Sequence, residues 1–402
     1  MLLRNRPVAI LFLSLFVVML GFGVIIPVMP FYVLGFGAGA IHLGLLMATF
    51  SLTQFVCAPF WGSLSDRVGR KPVLLVGLAG YVISSLLMAF STALWMLFVA
   101  RILGGALSSA TLPTALAYIG DSTSHDDRGS GMGVLGAAMG LGVIFGPGIG
   151  GALAGFGIAA PFFFAAALAA AVLLFAYLAL PESLARHHRA ARGDGSGESR
   201  LGQLVAALRG PLALYFLMAF IVSFGTANLE SVFAFFAYDR LGYGPAEMGL
   251  LFVAMGLMGV FVQGLGVGRL INRYSEERVL AAGLLSAAAG LLLITLAFDM
   301  PSMLAFVTIL GLGFGLMRPS VSSLLSKRTA AGQGATMGLQ GSFDSLGRVA
   351  GPVWGGFIYQ YGIQLPYYSG AAVLLFGFAL IAFAGLTGHA PQQAPSHPRD
   401  RL

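Results

Sequence analysis

Three charged side chains that interrupt long apolar stretches are the residues of this sequence best suited to chemistry. Arg101, Glu230 and Asp344 each lie within such a stretch. A charged group near the centre of a membrane-spanning helix costs on the order of 2.5 to 3.5 kcal/mol on insertion scales, so each needs a partner or a function. A carboxylate in this setting can exchange a proton, and an arginine can stabilise a neighbouring negative charge.

Glu230 is the leading candidate for a proton carrier. Phe224, Phe233 and Phe236 lie within two helical turns of it, and apolar surroundings disfavour the charged form of a carboxyl group. Glu230 and Arg101 are both predicted about 12 Å from the same membrane surface, at 1.5 Å per residue, although depth alone does not place them in contact. The alternative is a glutamate close enough to that surface to stay hydrated.

Further charged residues lie nearer the carboxyl terminus. Asp344 and Arg348 are four residues apart, so they share one helix face and can form a pair. The sequence leaves open whether such a pair only neutralises charge or takes part in coupling or gating. Arg318 precedes Pro319, and it is expected either to reach the membrane surface or to bind an acidic group. Arg348 and Arg318 are therefore candidates for a substrate cavity or for charge pairing.

The composition places these residues in a membrane. The chain has 402 residues, of which 58% are hydrophobic and only 9% charged, whereas about a quarter of the residues in soluble domains are charged. Neither lysine, Lys71 or Lys327, follows the glycine pattern of a phosphate-binding loop, so uphill work would draw on a proton gradient and no cofactor is expected. The six histidines lie in loops or near the ends, without a metal or catalytic cluster around them.

Twelve apolar runs of about 20 residues, each long enough to cross a bilayer, organise the chain. They fall at 8–34, 42–61, 72–91, 94–117, 130–154, 160–180, 211–238, 246–267, 279–298, 301–325, 335–358 and 364–387. The sequence therefore predicts an all-α membrane protein with twelve transmembrane helices.

The first and second halves of the chain resemble each other. A shift of 206 residues places Phe55, Gly62, Arg67 and Val73 on Phe261, Gly268, Arg273 and Val279, and a shift of 205 places Gly146-Pro147 on Gly351-Pro352. Repeats of this kind in transporters form two matched halves that face each other around a site near the midplane. The predicted organisation is two pseudo-symmetric six-helix halves, 1–180 and 211–388, joined by a flexible cytoplasmic linker at 181–210 and followed by a disordered tail at 389–402.

Basic residues predict the orientation. The loops on one face hold eighteen of the 22 Lys and Arg residues and the loops on the other hold Arg240 alone, while Arg101, Arg318 and Arg348 lie inside helices. Positive charge is retained on the cytoplasmic side, so both termini are expected in the cytoplasm. The net charge of +7 then reflects topology, and no nucleic-acid partner is expected.

The charged stretch between the second and third runs indicates the family. It contains Gly62, Asp66, Arg67, Gly69, Arg70 and Lys71 and is predicted to be a tight turn, in which both glycines aid the turn and Asp66 faces a helix N-terminus or an arginine. The pattern resembles the signature loop between helices 2 and 3 of the major facilitator superfamily. The resemblance implies a gate loop that latches the two halves on the cytoplasmic side; without it, a solvated turn would be the default interpretation.

Other segments resemble one branch of that superfamily, the twelve-helix drug:proton antiporters. The fifth run carries Gly142, Gly146, Pro147, Gly150 and Gly151, which is similar to the antiporter signature of that branch and favours export; packing of small residues is the alternative. The end of the first run, 21–30, is similar to the quinolone and tetracycline exporters of bacteria.

The same resemblance assigns roles to two buried charges. It implies that Arg101 is the buried arginine associated with proton coupling in this superfamily and that Glu230 matches a coupling acid of the quinolone branch. Related exporters also carry carboxylates in helix 1 and in helix 10, but here helix 1 has no charge and the second position is Gly315. Proton coupling is therefore expected to involve Glu230, Asp344 and Arg101.

The function expected from these observations is proton-coupled export of small amphipathic compounds, such as drugs or antibiotics, by alternating access. We expect a monomer in the lipid bilayer of a bacterial cytoplasmic membrane. Export of a sugar, a metabolite or a glycolipid is the nearest alternative. A polytopic membrane enzyme is disfavoured because no catalytic cluster occurs at a membrane surface.

Overall fold

The computed structural model describes residues 6–122, 128–184, 200–329 and 332–386, and this part of the chain is helical and contains no strand. The linker residues 185–199 and the tail 389–402 lie outside it. Fifteen α-helices are described: α1 Arg6–Gly35, α2 Ala40–Val68, α3 Arg70–Ala89, α4 Leu94–Ser108, α5 Thr111–Ser122, α6 Arg128–Ala154, α7 Ala160–Ala179, α8 Arg200–Arg209, α9 Ala213–Leu241, α10 Pro245–Phe261, α11 Val267–Tyr274, α12 Glu276–Ile294, α13 Met300–Arg328, α14 Gln333–Tyr359 and α15 Leu365–Leu386.

Eleven helical segments of the described chain are long and apolar enough to cross a membrane. One of them, Leu94–Ser122, contains both α4 and α5. The remaining long helix, α14, has 27 residues and carries Asp344 and Arg348, which lower its apolar character. The predicted all-α fold with twelve membrane helices is confirmed. The predicted linker also contains one regular element, the ten-residue helix α8.

Backbone proximity divides the chain into two compact units. Unit 1 comprises Met1–Gly195 and Glu230–Val253, and unit 2 comprises Ser196–Leu229 and Ala254–Leu402. The second part of α9 and the first part of α10 therefore group with the first six membrane helices. In unit 1, apolar residues of α1, α3, α5, α6 and α7 form one buried cluster around Leu11, Leu78 and Tyr118. Since α1 is apolar on all sides, it is suited to this interior position.

The charged stretch 62–71 is mostly helical, which corrects the prediction of a tight turn. Helix α2 continues to Val68, and α3 begins at Arg70. The connection consists of Gly69, which has φ +115° and donates its backbone N–H to the carbonyl of Ser65 at 3.1 Å. A single left-handed glycine is enough to end one helix and start the next, because an amide hydrogen bond to the preceding turn closes the first helix.

The equivalent connection in unit 2 is made by a serine. Ser275 lies between α11 and α12 with φ +85° and ψ 156°, and it is the one non-glycine residue with positive φ in the described chain. This region of backbone conformation is essentially reserved for glycine, and a residue with a side chain costs on the order of 1 to 3 kcal/mol there. Ser275 is therefore a strained residue.

We predict that Ser275→Gly raises the unfolding temperature of the detergent-purified protein, because glycine relieves this strain. The gain should exceed the loss of about 0.5 to 1 kcal/mol from the added freedom of glycine in the unfolded chain. Gly69→Ser, the converse change, should lower the unfolding temperature. A lower unfolding temperature for Ser275→Gly would contradict the assignment of strain.

Candidate functional site

Arg101 lies in the interior of unit 1. It is on α4, and only 3% of the residue is exposed. Its guanidinium lies 5.3 Å from the centre of the Phe50 ring, and its Nε has no hydrogen-bond acceptor within the described chain. No carboxylate of the described residues forms a salt bridge with it. Arg101 is therefore a buried cation that faces an aromatic ring, an arrangement that stabilises the charge only in part.

Two glycines allow α4 to bring Arg101 close to its neighbours. A Cβ atom at Gly104 would lie 2.5 Å from the hydroxyl of Ser84, and one at Gly105 would lie 2.6 Å from the carbonyl oxygen of Phe50. These contacts leave no room for larger residues. The Arg-Ile-Leu-Gly-Gly segment thus combines a buried charge with a close approach of α4 to α2 and α3.

Glu230 also belongs to unit 1 and lies on α9, where it is partly buried. Phe233 and Phe236 are fully buried, and Phe224 is 8% exposed. The ring of Phe233 packs edge-to-face against Phe252, with 5.6 Å between the ring centres. The aromatic residues that the sequence placed near Glu230 are therefore buried, whereas the residue Glu230 is only partly buried.

Asp344 lies in unit 2, on α14, and contacts α9. Its Oδ1 accepts a hydrogen bond of 2.7 Å from the hydroxyl of Ser223. One turn earlier on α14, the amide of Gln340 donates to the hydroxyl of Ser322 at 2.8 Å. Arg348, one turn later, is partly buried. Ser223 and Gln340 were not identified from the sequence. A hydroxyl or amide group within an apolar helix nevertheless marks a candidate hydrogen-bond partner.

Arg318 and Gly315 lie on α13. The residue Arg318 is exposed, and its proposed part in a cavity or a charge pair stays a prediction. Gly315, where related exporters are expected to carry a carboxylate, packs against α10: a Cβ atom there would lie 2.8 Å from the carbonyl oxygen of Gly259. The close contact between α13 and α10 excludes a side chain at this position.

The polar contacts of the 62–71 stretch are centred on Arg70, which is 2% exposed. Its guanidinium forms salt bridges with Asp66 at 2.6 Å and Asp121 at 2.8 Å, and it donates to the hydroxyl of Ser65 at 2.7 Å. The carboxylate of Glu182 accepts the backbone N–H of Arg70 at 2.8 Å. Glu182 thereby satisfies a free amide at the start of α3. Four segments of unit 1 therefore meet at Arg70: the end of α2, the start of α3, the end of α5 and the chain at Glu182.

The other residues of this stretch have different surroundings. The backbone N–H of Lys71 also donates to Glu182, at 3.3 Å, and its ammonium lies 5.8 Å from the centre of the Tyr177 ring. Arg67 is exposed. A Cβ atom at Gly62 would meet nothing within 4 Å, and the expected turn at this glycine is wrong. The reason is that Gly62 lies inside α2 on an open side of the helix.

The glycines of the antiporter-like segment form a seam between α6 and α1. A Cβ atom would lie 2.7 Å from the carbonyl oxygen of Phe16 at Gly142, 2.4 Å from that of Leu20 at Gly146, and 2.5 Å from that of Val24 at Gly150. All three contacts are with backbone atoms, which cannot rotate away. The glycine spacing therefore sets how closely the two helices pack.

Gly151 and the carbonyl of Pro147 face α10. At Gly151 a Cβ atom would lie 2.4 Å from the carbonyl oxygen of Pro245, and at Gly249 one would lie 2.7 Å from the carbonyl oxygen of Pro147. One face of α6 thus packs on α1 and another on α10, within unit 1.

Unit 2 repeats the seam between α14 and α9. A Cβ atom at Gly347 would lie 2.6 Å from the carbonyl oxygen of Phe220, and one at Gly351 would lie 2.5 Å from that of Phe224. These glycines are the counterparts of Gly142 and Gly146 in the 205-residue repeat. Asp344 sits one turn before this seam, and its bond to Ser223 extends the contact.

The sequence and the fold agree with one family of known proteins. A family model described as Major Facilitator Superfamily matches residues 11–266 and 215–401. The chain belongs to this superfamily. Its members are transporters rather than enzymes.

Relatives within the superfamily extend over nearly the whole chain. Multidrug resistance protein 2 of Bacillus subtilis (strain 168) is 32% identical over 392 residues, which cover 96% of this chain and 95% of that protein. Quinolone resistance protein NorA of Staphylococcus aureus (strain COL) is 28% identical, with 94% and 96% covered. The crystal structure of a bacterial homologue of the human lysosomal transporter Spinster has a TM-score of 0.78 at 17% identity, covering 98% of this chain and 99% of that one, which shows the shared fold.

The glycine seam predicts that one added methyl group destabilises the protein at some positions of α6 and not at others. Gly146→Ala should lower the unfolding temperature or prevent insertion, because its Cβ atom would overlap the α1 backbone. Overpacking of this kind costs about 1 to 3 kcal/mol. Gly136→Ala on the same helix is the matched control, since a Cβ atom there meets nothing within 4 Å. Equal unfolding temperatures for the two variants would contradict the seam.

The hydrogen bond between Ser223 and Asp344 predicts lower transport activity in the Ser223→Ala variant. Hydrogen bonds to charged groups contribute about 1.5 to 3 kcal/mol, so this variant should reduce substrate transport in membrane vesicles. Thr226→Ala is the control, because the Thr226 hydroxyl bonds to the carbonyl of Val222 in its own helix at 2.8 Å. If both variants transport as fast as the parent protein, the contact has no role in transport.

Proposed function

We propose that this protein is a multidrug exporter that exchanges protons for small amphipathic compounds by alternating access. The observation that carries the proposal is the 32% identity, along 96% of the chain, with a protein named for multidrug resistance. The resistance protein NorA supports the same assignment. Ionisable residues at membrane depth supply groups that could couple export to a proton gradient.

The proposed proton carriers are Glu230 and Asp344. Each lies on a long membrane helix: the phenylalanines near Glu230 in the sequence are buried, and the Ser223 hydroxyl donates to Asp344. Protonation of a carboxylate would remove a negative charge from the site, and a cationic or polar substrate would then lose its electrostatic partner. This competition between a proton and a substrate for one carboxylate is the simplest exchange mechanism that these residues support.

Arg101 is proposed to hold a neighbouring negative charge during the cycle. A cation buried to 3% exposure, without a carboxylate partner among the described residues, favours any anionic group that approaches it. Glu230 lies in the same compact unit. Arg348 and Arg318 are proposed as further cavity or pairing residues.

The cellular setting is also a proposal. We infer a bacterial inner membrane, with both termini in the cytoplasm and the 62–71 stretch acting there as a gate. Its support is the retention of basic residues on one side of the membrane. The protein is proposed to act as a monomer, with the proton gradient as its energy source, no cofactor and no nucleic-acid partner.

The test is transport into everted membrane vesicles with an imposed pH gradient, using a panel of cationic dyes and quinolones. We expect uptake that collapses with the pH gradient. Glu230→Gln should abolish gradient-driven uptake and leave the amount of protein in the membrane unchanged, because the amide cannot carry a proton.

Asp239→Asn, on the same helix, is the matched control, since Asp239 is exposed. Unchanged uptake by Glu230→Gln would remove Glu230 from the mechanism. Uptake of sugars or glycolipids without any effect on dyes or quinolones would select the alternative substrate class.

A further inference from the structure

The internal repeat gives Arg70 and Asp121 defined counterparts in unit 2. The 206-residue shift that superposes Gly62 on Gly268 and Arg67 on Arg273 also places Arg70 on Glu276 and Asp121 on Lys327. Both members of the pair are thus replaced by residues of opposite charge. A pair whose charges are exchanged retains its attraction, so the contact can be conserved although neither residue is.

The structure shows that this second contact is formed. In unit 1, Arg70 at the start of α3 binds Asp121 at the end of α5, with 2.8 Å between Nε and Oδ2. In unit 2, Glu276 at the start of α12 forms a salt bridge with Lys327 at the end of α13. The Glu276 carboxylate also accepts a hydrogen bond of 3.1 Å from the Ser323 hydroxyl. The salt bridges therefore join equivalent helix ends in the two units.

The backbone before the two helices supports the equivalence. Gly69 has φ +115° and ψ 160°, and its counterpart Ser275 has φ +85° and ψ 156°. Unit 2 therefore keeps the unusual backbone turn even though a serine must occupy it. That turn directs the first residue of the next helix, Arg70 or Glu276, toward its partner.

A second pair reinforces the contact in unit 2. Lys71 corresponds to Glu277 and Ser122 to Arg328 in the same shift, and Glu277 forms a salt bridge with Arg328. Arg328 also donates to the hydroxyl of Tyr215 near the start of α9. Three helices, α9, α12 and α13, are consequently held at one end by charged contacts.

We propose that Glu276, Glu277, Lys327 and Arg328 form a charge-inverted counterpart of the Arg70 cluster, which we call the inverted clamp. Its role is to hold the ends of α9, α12 and α13 together so that unit 2 moves as one body. The four residues are positioning residues, since nothing places them in contact with substrate. The part of this inference that concerns transport rests on the proposed function, whereas the part that concerns the clamp itself does not.

The two clusters differ in how their charges are compensated. Arg70 is shared by Asp66 and Asp121, whereas Glu276 and Glu277 each have one cationic partner among the salt bridges of the described chain. Exchanging the charges of one pair should therefore be tolerated in unit 2 and not in unit 1. In unit 1, an acidic residue at position 70 would face Asp66 and leave it without its cation.

The experiment is a charge exchange measured in two ways. Glu276→Lys and Lys327→Glu should each lower the unfolding temperature of the detergent-purified protein, because two like charges then face each other. The double variant should regain most of the loss. Arg278→Glu is the matched control for a reversed charge on α12: Arg278 is exposed, so little change is expected.

The parallel exchange in unit 1, Arg70→Asp with Asp121→Arg, should not restore the unfolding temperature. A double Glu276→Lys/Lys327→Glu variant no more stable than its less stable parent would overturn the inverted clamp. If the reversed variants fail to insert, Glu276→Gln and Lys327→Gln provide the same test. Their double variant should lose less than the sum of the single losses, and strict additivity would overturn the clamp.

The second measurement is transport of a cationic dye by the same variants in proteoliposomes. The single reversals should lower the maximal rate several-fold while the half-saturating dye concentration stays within twofold of the parent value, and the double exchange should restore the rate. A change confined to the half-saturating concentration would overturn the positioning role. If the parent protein transports no dye, the unfolding temperatures still decide whether the clamp exists.

Discussion

The cost of leaving a polar or charged group unsatisfied within a membrane governs this structure. Lipid offers neither hydrogen bonds nor counter-charges, so such groups must find partners in the protein. Asp344 finds the hydroxyl of Ser223, and Arg101 finds the ring of Phe50. Most of the charged residues instead collect at helix ends, where water and the ends of other helices are available. The few that remain inside are therefore the best candidates for function.

Close contact between helix backbones is the second requirement, and glycine supplies it. The seam of α6 on α1 and the seam of α14 on α9 each place carbonyl oxygens within 2.4 to 2.7 Å of a would-be Cβ atom. Without a hydrophobic driving force between helices in lipid, packing of this kind is a main source of association. Asp344 and its partner Ser223 lie on the two helices that the second seam joins.

The ion-pair clusters show how a repeated fold keeps a contact while its residues change. Arg70 with Asp121 and Glu276 with Lys327 occupy equivalent positions with opposite charges. What is retained is the attraction between the start of one helix and the end of another. The sequence comparison of the two loops alone suggests a weakened copy in the second half, since Asn272 replaces Asp66. The structure shows that the second half has its own cluster at the equivalent helix ends, with the charges exchanged.

The sequence by itself determined the twelve membrane segments, the superfamily and the internal repeat, because apolar length and glycine spacing are local properties that decide how a segment partitions and packs. It also singled out Arg101, Glu230 and Asp344, since a charge in an apolar run is visible without a fold. Only the tertiary structure decided the partners: Ser223 for Asp344, Phe50 for Arg101, Asp121 and Glu182 for Arg70, and Lys327 for Glu276. These pairs are separated by tens of residues or more along the chain, and packing of helices, rather than any local pattern, brings them together.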